Sequence, residues 1–477
     1  MLAHVLSAGA QQPVTVRIGL SIPTGRSARI GVIPAAEALR SESLLTVSSN
    51  GRIGPGMAQS WVRSLDPRGW LFTLAPGIRF HDDRPGTAAS LIPLLRAALS
   101  DPDELRLHPT FQEIEDIVAV DAQRFLLHIR SARLSLLEDL AQVNLGEGTE
   151  GAAAGAFRVG PVNNDGFTAH VFDHYYRGRP RIDAVRFTTF RSQRATWAAM
   201  MRGEIDAQYD VGREAVEFLE RDSRVRVYPF LRPYLATLFF NVKTPHLTDK
   251  RVRRALNRIV DRESIVRFAY RGRGRVADGP LSPEHWRVKG LRLSLPDSAD
   301  TPAPLDTLRP GSAARLRFRC LVPANLETQP FERLALMLQK QFVDSGIDMQ
   351  LELVAPQEFL ERLSTGRFET ALFEFLAQTP SWVYGFWRSP SRGSEPWIRH
   401  GYSGADRELD AMHLAETEED LKRAIADVYR RMADDPPAIF IAWPQAARAV
   451  SRRFEVPVEK GADIMGSNLR LWRPAGR

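Results

Sequence analysis

Val14, Val16, Ile18, Leu20 and Ile22 alternate with small or polar residues, and Pro23-Thr24-Gly25 stops the run. A period of two is that of a half-buried strand, so a first strand is predicted here. Residues 182–190 (IDAVRFTTF) predict another strand, followed by a helix through Trp197 and Met201 that Gly203 closes. A short strand over 205–210, a helix over 214–221 and a strand over 225–230 complete a strand-helix alternation of the kind that builds a parallel sheet.

The same grammar returns later. Leu316, Phe318, Cys320 and Val322 alternate as a strand, Phe331, Leu334, Leu338 and Phe342 follow helical spacing, and Gly346 stands where a left-handed cap belongs. Ile347, Met349, Leu351 and Leu353 alternate again, a short helix runs through Phe359 and Leu363 to Gly366, and 371–377 predict a further strand. Between the two α/β regions lie an apolar strand over 237–243 (TLFFNVK) and a helix with Val252, Ala255, Leu256 and Ile259 on one face. Arg251, Arg254, Arg258 and Arg262 share another face, which reads as solvated surface. Residues 277–311 are rich in Pro, Gly, Ser and Asp and read as a long surface connection. A second apolar strand, 438–443 (AIFIAW), suggests that the chain leaves one lobe, builds a second and crosses back, and two crossings make a hinge.

Composition adds bounds. At 477 residues the chain exceeds what one core usually supports, so two or more lobes are expected. A net charge of +7 is mild and scattered, which argues against a nucleic-acid partner. Cys320 is the sole cysteine, so no internal disulfide and no multi-cysteine metal site forms. Leu2, Ala3, Val5 and Leu6 lead into Ala8-Gly9-Ala10, which reads as the tail of an export signal, with the mature protein beginning near Gln11.

The patterns GxSxG, GxxxxGK[ST] and HExxH do not occur in the sequence. His81-Asp82-Asp83 follows a strand-like run and precedes Arg84-Pro85-Gly86, so it reads as a turn rather than a metal site. Arg271-Gly272-Arg273-Gly274 follows a helix, whereas a dinucleotide fingerprint follows a strand. The most informative span is 368–402. There Gln378, Thr379, Ser381, Trp382, Tyr384, Phe386, Trp387 and Trp397 crowd the segment after a strand, read as a loop. Rings with a few hydroxyl or amide groups at the carboxyl end of a strand suit an organic solute. The alternative for Trp382, Tyr384 and Trp387 is lobe core.

Residues 44–95, with LLTVSSNGRIGPGMAQSW and GWLFTLAPGIRFHDDRPGTAASLIPLL, resemble dipeptide- and oligopeptide-type extracellular solute-binding proteins, family 5. AGAFRV at 154–159, YYRGRPRIDAVRF at 175–187, MMRGEIDA at 200–207, FFNVKTPHLTDKRVRRALNRIVDRESIV at 239–266, GPLSP at 279–283 and YSGADRELDAM at 402–412 continue the series in the family's order. The resemblance implies an α/β, type II periplasmic-binding fold: two lobes joined by a two-strand hinge, with an extra subdomain on the first lobe. Lobe I is then expected over 11–49, 156–243 and 438–477, the extra subdomain over 50–155, and lobe II over 244–437, with 1–10 a signal remnant. It further implies a periplasmic monomer that is not an enzyme and hands a small solute to the membrane permease subunits of an ABC transporter. No metal and no cofactor are expected.

Candidate ligand contacts are Thr24, Tyr209, Asp210 and Tyr234 on one side and Gln378, Thr379, Trp382, Tyr384 and Trp387 on the other. Peptide binders of the family usually carry an aspartate after the strand that ends here at Ala377, pairing the ligand's amino terminus, and this chain has Gln378. Losing that carboxylate removes a charge-assisted bond of about 1.5–3 kcal/mol, which argues against ordinary peptide specificity. The rival classes are a ligand-sensing subunit of a membrane receptor and a hydrolase with an unrecognised site.

Overall fold

The computed structural model describes residues 13–21, 31–65, 68–130, 133–146, 151–291, 316–324, 331–390, 396–457 and 463–476. Thr24, the strand end at Ile22 and the proposed signal remnant 1–10 lie outside them. Among the described residues, one twelve-stranded mixed sheet runs through the molecule. In its first half, Thr15–Leu20 lies between Ala184–Thr189 and Ala207–Gln208, parallel to both. In its second half, Arg317–Pro323 is parallel to Asp348–Val354 and Thr370–Leu376.

The alternation of the first strand is used as expected, with Val16 and Ile18 fully buried. The second βαβ unit forms because Phe331, Leu334, Leu338 and Phe342 fall on one buried face of the helix Phe331–Asp344. Gly346 ends that segment at φ +79°, a conformation a Cβ would penalise.

The halves are joined by Ala438–Ser451, a fourteen-residue strand. Its Gln445–Ser451 end pairs with Val225–Leu231 and its Ala438–Ala442 end with Tyr234–Phe240, both antiparallel. The apolar run 438–443 is therefore only the first part of a strand that continues across both halves. Beside it, the chain passes from Leu231 to Tyr234, and the Arg232 N–H donates to the Pro444 carbonyl at 2.9 Å. The two passages thus lie side by side.

Packing follows the same division. Val16, Ile18, Phe157, Phe187 and Trp472 belong to one core beside the first half, and Leu238, Phe240, Phe318 and Leu338 to another beside the second. A separate four-stranded antiparallel sheet, ordered Ala58–Leu65, Arg68–Leu74, Arg124–Ile129 and Ile114–Ala119, has its own core around Phe72, Phe80, Leu91 and Phe125.

Three readings are corrected. Residues 277–291 are not a surface connection: Ala277, Leu281, His285 and Val288 are buried, because this segment packs on the core of the second half. The Arg251 face is not uniformly solvated either. Arg262 turns inward, its guanidinium donating to the carbonyls of Phe440 (2.7 Å) and Val260 (3.2 Å). Burial lowers its pKa to about 10, with Asp278 opposing. Finally, the aromatic segment after Ala377 is a helix, Pro380–Trp387, rather than a loop. Proline at its first position is preorganised for the helix.

Candidate functional site

Where the two passages cross, a cavity of about 1260 Å³ opens. Phe230, Leu231, Pro233 and Gln445 contribute from the crossing itself, residues 46–49 and 52–54 from the segment leading into the four-stranded sheet, and Asp463, Asn468 and Arg470 from the C-terminal segment. Gly274, Arg275, Ser282, Glu284, His285 and Gln378 contribute from the second half. Small-molecule pockets usually span roughly 300–1,000 Å³. This one therefore has room for a solute larger than a single amino acid.

One buried arginine organises the wall. Arg448 sits on the joining strand and is only 5% exposed. Its guanidinium lies 2.8 Å from Asp210 and 2.9 Å from Asp463, donates to the Tyr209 carbonyl, and rests 4.1 Å from the centre of the Tyr209 ring. Burial alone would lower its pKa, but Asp463 and Asp210 outweigh burial and hold it above the ordinary value. Asp463 responds in kind: burial pushes its carboxyl up, and Arg448 more than reverses this. Tyr209 and Asp210 thus act behind the wall, fixing Arg448, and neither lines the cavity.

His285 is 1% exposed, and its ring nitrogen Nδ1 accepts from the Arg287 N–H at 3.3 Å. Burial, helped by Arg287, pushes its pKa down to about 3, so this lining residue carries a neutral ring.

The remaining predicted contacts separate. Gln378 lines the cavity. Thr379 is fully buried and precedes the helix Pro380–Trp387. Trp387 lies in the core, stacked on Phe239 at 5.0 Å and edge-on to Phe440. Tyr384 stacks on His413 at 4.0 Å and donates to Asp410 at 3.3 Å, with burial, then Asp410, raising its pKa to about 12. The Trp382 indole N–H donates to the Gln142 side chain, and its ring meets His108 edge-on at 5.8 Å. Tyr234 is 37% exposed, with the Arg232 guanidinium 4.8 Å from its ring centre. Helical spacing explains the sorting: Val383 and Trp387, four apart, share the inward face, while Trp382 and Tyr384 project elsewhere.

Those outward rings belong to a second contact region, where the core of the four-stranded sheet meets the second half. There Glu138 pairs with Arg287 at 2.6 Å, the Ser135 hydroxyl donates to the His413 carbonyl at 3.0 Å, and the Leu134 N–H donates to the Ala415 carbonyl at 3.1 Å.

Compared with known proteins, residues 52–395 match the model for bacterial extracellular solute-binding proteins, family 5 middle. The chain belongs to that family. Among curated family 5 relatives, the oligopeptide-binding protein AppA of Bacillus subtilis (strain 168) is 22% identical over 300 residues, covering 59% of this chain and 54% of AppA. The nickel-binding periplasmic protein of Escherichia coli (strain K12) is 24% identical over 271 residues, covering 52% and 51%. This family 5 chain thus spans about half the length of those relatives in sequence alignment.

In structure the likeness is nearly end to end. Bacillus subtilis AppA in complex with a nonapeptide superposes with a TM-score of 0.77 at 17% identity, covering 98% of this chain and 100% of AppA. NikZ of Campylobacter jejuni in complex with Ni(L-His) superposes with a TM-score of 0.78 at 17% identity, covering 96% and 99%. The fold is therefore the type II periplasmic-binding fold expected for family 5. Among the described residues, no helix is long and apolar enough to cross a membrane and no cluster of His, Cys, Asp and Glu could hold a metal ion.

Sequence reasoning missed most of the wall. The polar run Thr46–Gly54 was legible only as part of a family pattern, and Ser282–His285 sat inside what read as a surface connection. Arg448 had a usable signal: a lone charge in an apolar, strand-like stretch, AARAV.

Proposed function

We propose that this chain is the solute-capturing component of an ABC importer, a periplasmic monomer whose two lobes close on a small organic solute and deliver it to membrane permease subunits. A peptide-like, opine-like or sugar-like solute fits this role. The observation that carries the reading is the cavity at the double crossing, whose wall is shared between both sheet halves and the segment leading into the four-stranded sheet. Paired passages side by side can bend together while each half keeps its own core. The lobe limits implied by the resemblance, with the change from lobe I to lobe II near 243 and the return near 438, fit such a motion.

The contacts of Glu138 with Arg287, Ser135 with His413 and Trp382 with Gln142 belong, in this reading, to the closed form. Ligand shifts the balance only by what it gains in the closed state over the open one. Binding rather than catalysis is also favoured by the state of the described lining carboxylates, since Glu284 and Asp463 are each engaged by an arginine. Relatives named for oligopeptides, glutathione and nickel support capture as the shared role.

Native mass spectrometry of protein purified gently from its own cell tests this. The expected result is one chain carrying one small organic molecule that is lost on denaturation. A chain that never carries a solute, and that hydrolyses a model ester or amide, overturns it.

A further inference from the structure

Among the described residues, four arginines line the cleft: Arg52, Arg177, Arg275 and Arg470. The carboxylates lining it among the described residues are Glu284 and Asp463, and each is paired with an arginine. Glu284 lies 2.7 Å from Arg275, and Asp463 lies 2.9 Å from Arg448. Among the described residues, Arg52, Arg177 and Arg470 have no carboxylate within ion-pair distance.

Each is nevertheless supported. The Arg177 guanidinium donates through Nη2 to the carbonyls of Pro55 (2.9 Å) and Gly56 (2.7 Å), which fixes its direction without neutralising it. Arg52 lies 4.4 Å from the centre of the Trp286 ring. Arg470 is held on the short helix Gly466–Leu471. Behind the wall, Glu42 is 7% exposed and accepts from the hydroxyls of Tyr175 and Tyr176. It is one carboxylate within the electrostatic reach of both Arg177 and Arg470, and burial raises its pKa despite both cations. The neutral groups Gln378 and His285 add no negative charge. A cationic solute entering here would meet guanidinium groups and no unengaged carboxylate among the described lining residues.

We propose that the solute taken by this cleft is an organic anion carrying at least two carboxylates, an inference that rests on the capture reading above. Guanidinium forks match carboxylates in pairs of parallel hydrogen bonds. Arg52, Arg177 and Arg470, which lack an ion-paired carboxylate among the described residues, come from three separate chain segments around a large volume, which favours charges spaced along an extended solute over one compact anion.

The test is calorimetric titration of the full chain, with scattering on the same samples, using the dipeptides Glu-Glu, Gln-Gln and Lys-Lys together with citrate and inorganic phosphate. Glu-Glu or citrate is expected to bind at least ~10-fold tighter than Gln-Gln, to compact the protein, and to weaken as salt is raised. Arg470→Gln is expected to weaken that binding by about 10-fold or more, and Arg470→Lys by less. Because substitutions in the wall can disturb folding, Arg52→Gln, at an exposed position, serves as the second variant and should lower affinity in the same direction. Tighter binding and compaction with Gln-Gln or Lys-Lys would overturn the anion assignment and leave solute capture standing. Binding of inorganic phosphate alone would overturn the carboxylate assignment. Compaction by none of the probes would count against both.

Discussion

The carboxylate of Glu138, in the core region of the four-stranded sheet, lies 2.6 Å from the guanidinium of Arg287 on the second half, with side chains 1% and 5% exposed. Such a pair contributes little net stability against an apolar replacement, yet losing one member leaves a buried charge. The two members differ in what they can do when abandoned. Arg287 cannot shed its charge, whereas Glu138 can take a proton, since burial has already raised its carboxyl to about 7. Glu138→Ala should therefore cost about 3–5 kcal/mol and Arg287→Ala distinctly less, as read by urea unfolding at neutral pH. Equal losses would contradict this asymmetry.

The same region sets a pH response. Burial depresses His413 to about 4 and His285 to about 3, from an ordinary value of 6.5. A depressed group contributes stability above its unfolded pKa and loses it as pH falls through the folded value, so both imidazoles weaken the fold below pH 6.5. Glu138 has the opposite sign: its raised pKa contributes stability that is complete below 4.5 and lost as pH rises through about 7. Melting temperature should thus fall on acidification from 6.5 towards 4, less steeply in His413→Gln and more steeply in Glu138→Gln. Parallel curves for all three proteins would refute the assignment.

Gly51 sits at φ +77°, and an added Cβ would stand 2.1 Å from Cδ2 of His285. Left-handed backbone costs a residue with a side chain about 1–2 kcal/mol before any clash. Gly51→Ala should lower the melting temperature and also weaken solute binding, because the His285 ring it displaces is part of the cavity wall. An unchanged affinity would separate this position from the cleft.

Trp387 and Gln378 are near neighbours in sequence with different expected roles. Trp387→Ala empties a core position and should cost about 3–5 kcal/mol in unfolding experiments. Gln378→Ala should change stability by no more than about 0.5 kcal/mol while reducing affinity for the co-purified solute by about 5- to 10-fold. Thermal melts and calorimetry on both variants check the pair.

Much of the frame was legible from periodicity. The strand beginning at Val14 and the βαβ unit from Leu316 onward were readable because strict alternation and helical spacing each leave one buried face. The site was less legible. Trp387 reads in sequence as either a ligand contact or lobe core, and only the turn of the helix Pro380–Trp387 shows that it faces Phe239. Residues 277–291 carry turn-forming residues without periodicity, so their burial comes from long-range packing that no local pattern encodes. Likewise, the arginines of the cleft come from segments far apart in the chain, and only the fold brings Arg52 and Arg470 to one cavity.

Small-angle scattering on the protein stripped of its solute and then refilled tests the central claim most directly. The account predicts a measurable fall in radius of gyration when solute is restored, with the fall reduced in Glu138→Ala, which loses a contact assigned to the closed form in the proposed reading. Identical scattering curves with and without a tightly bound solute would contradict closure around the cleft.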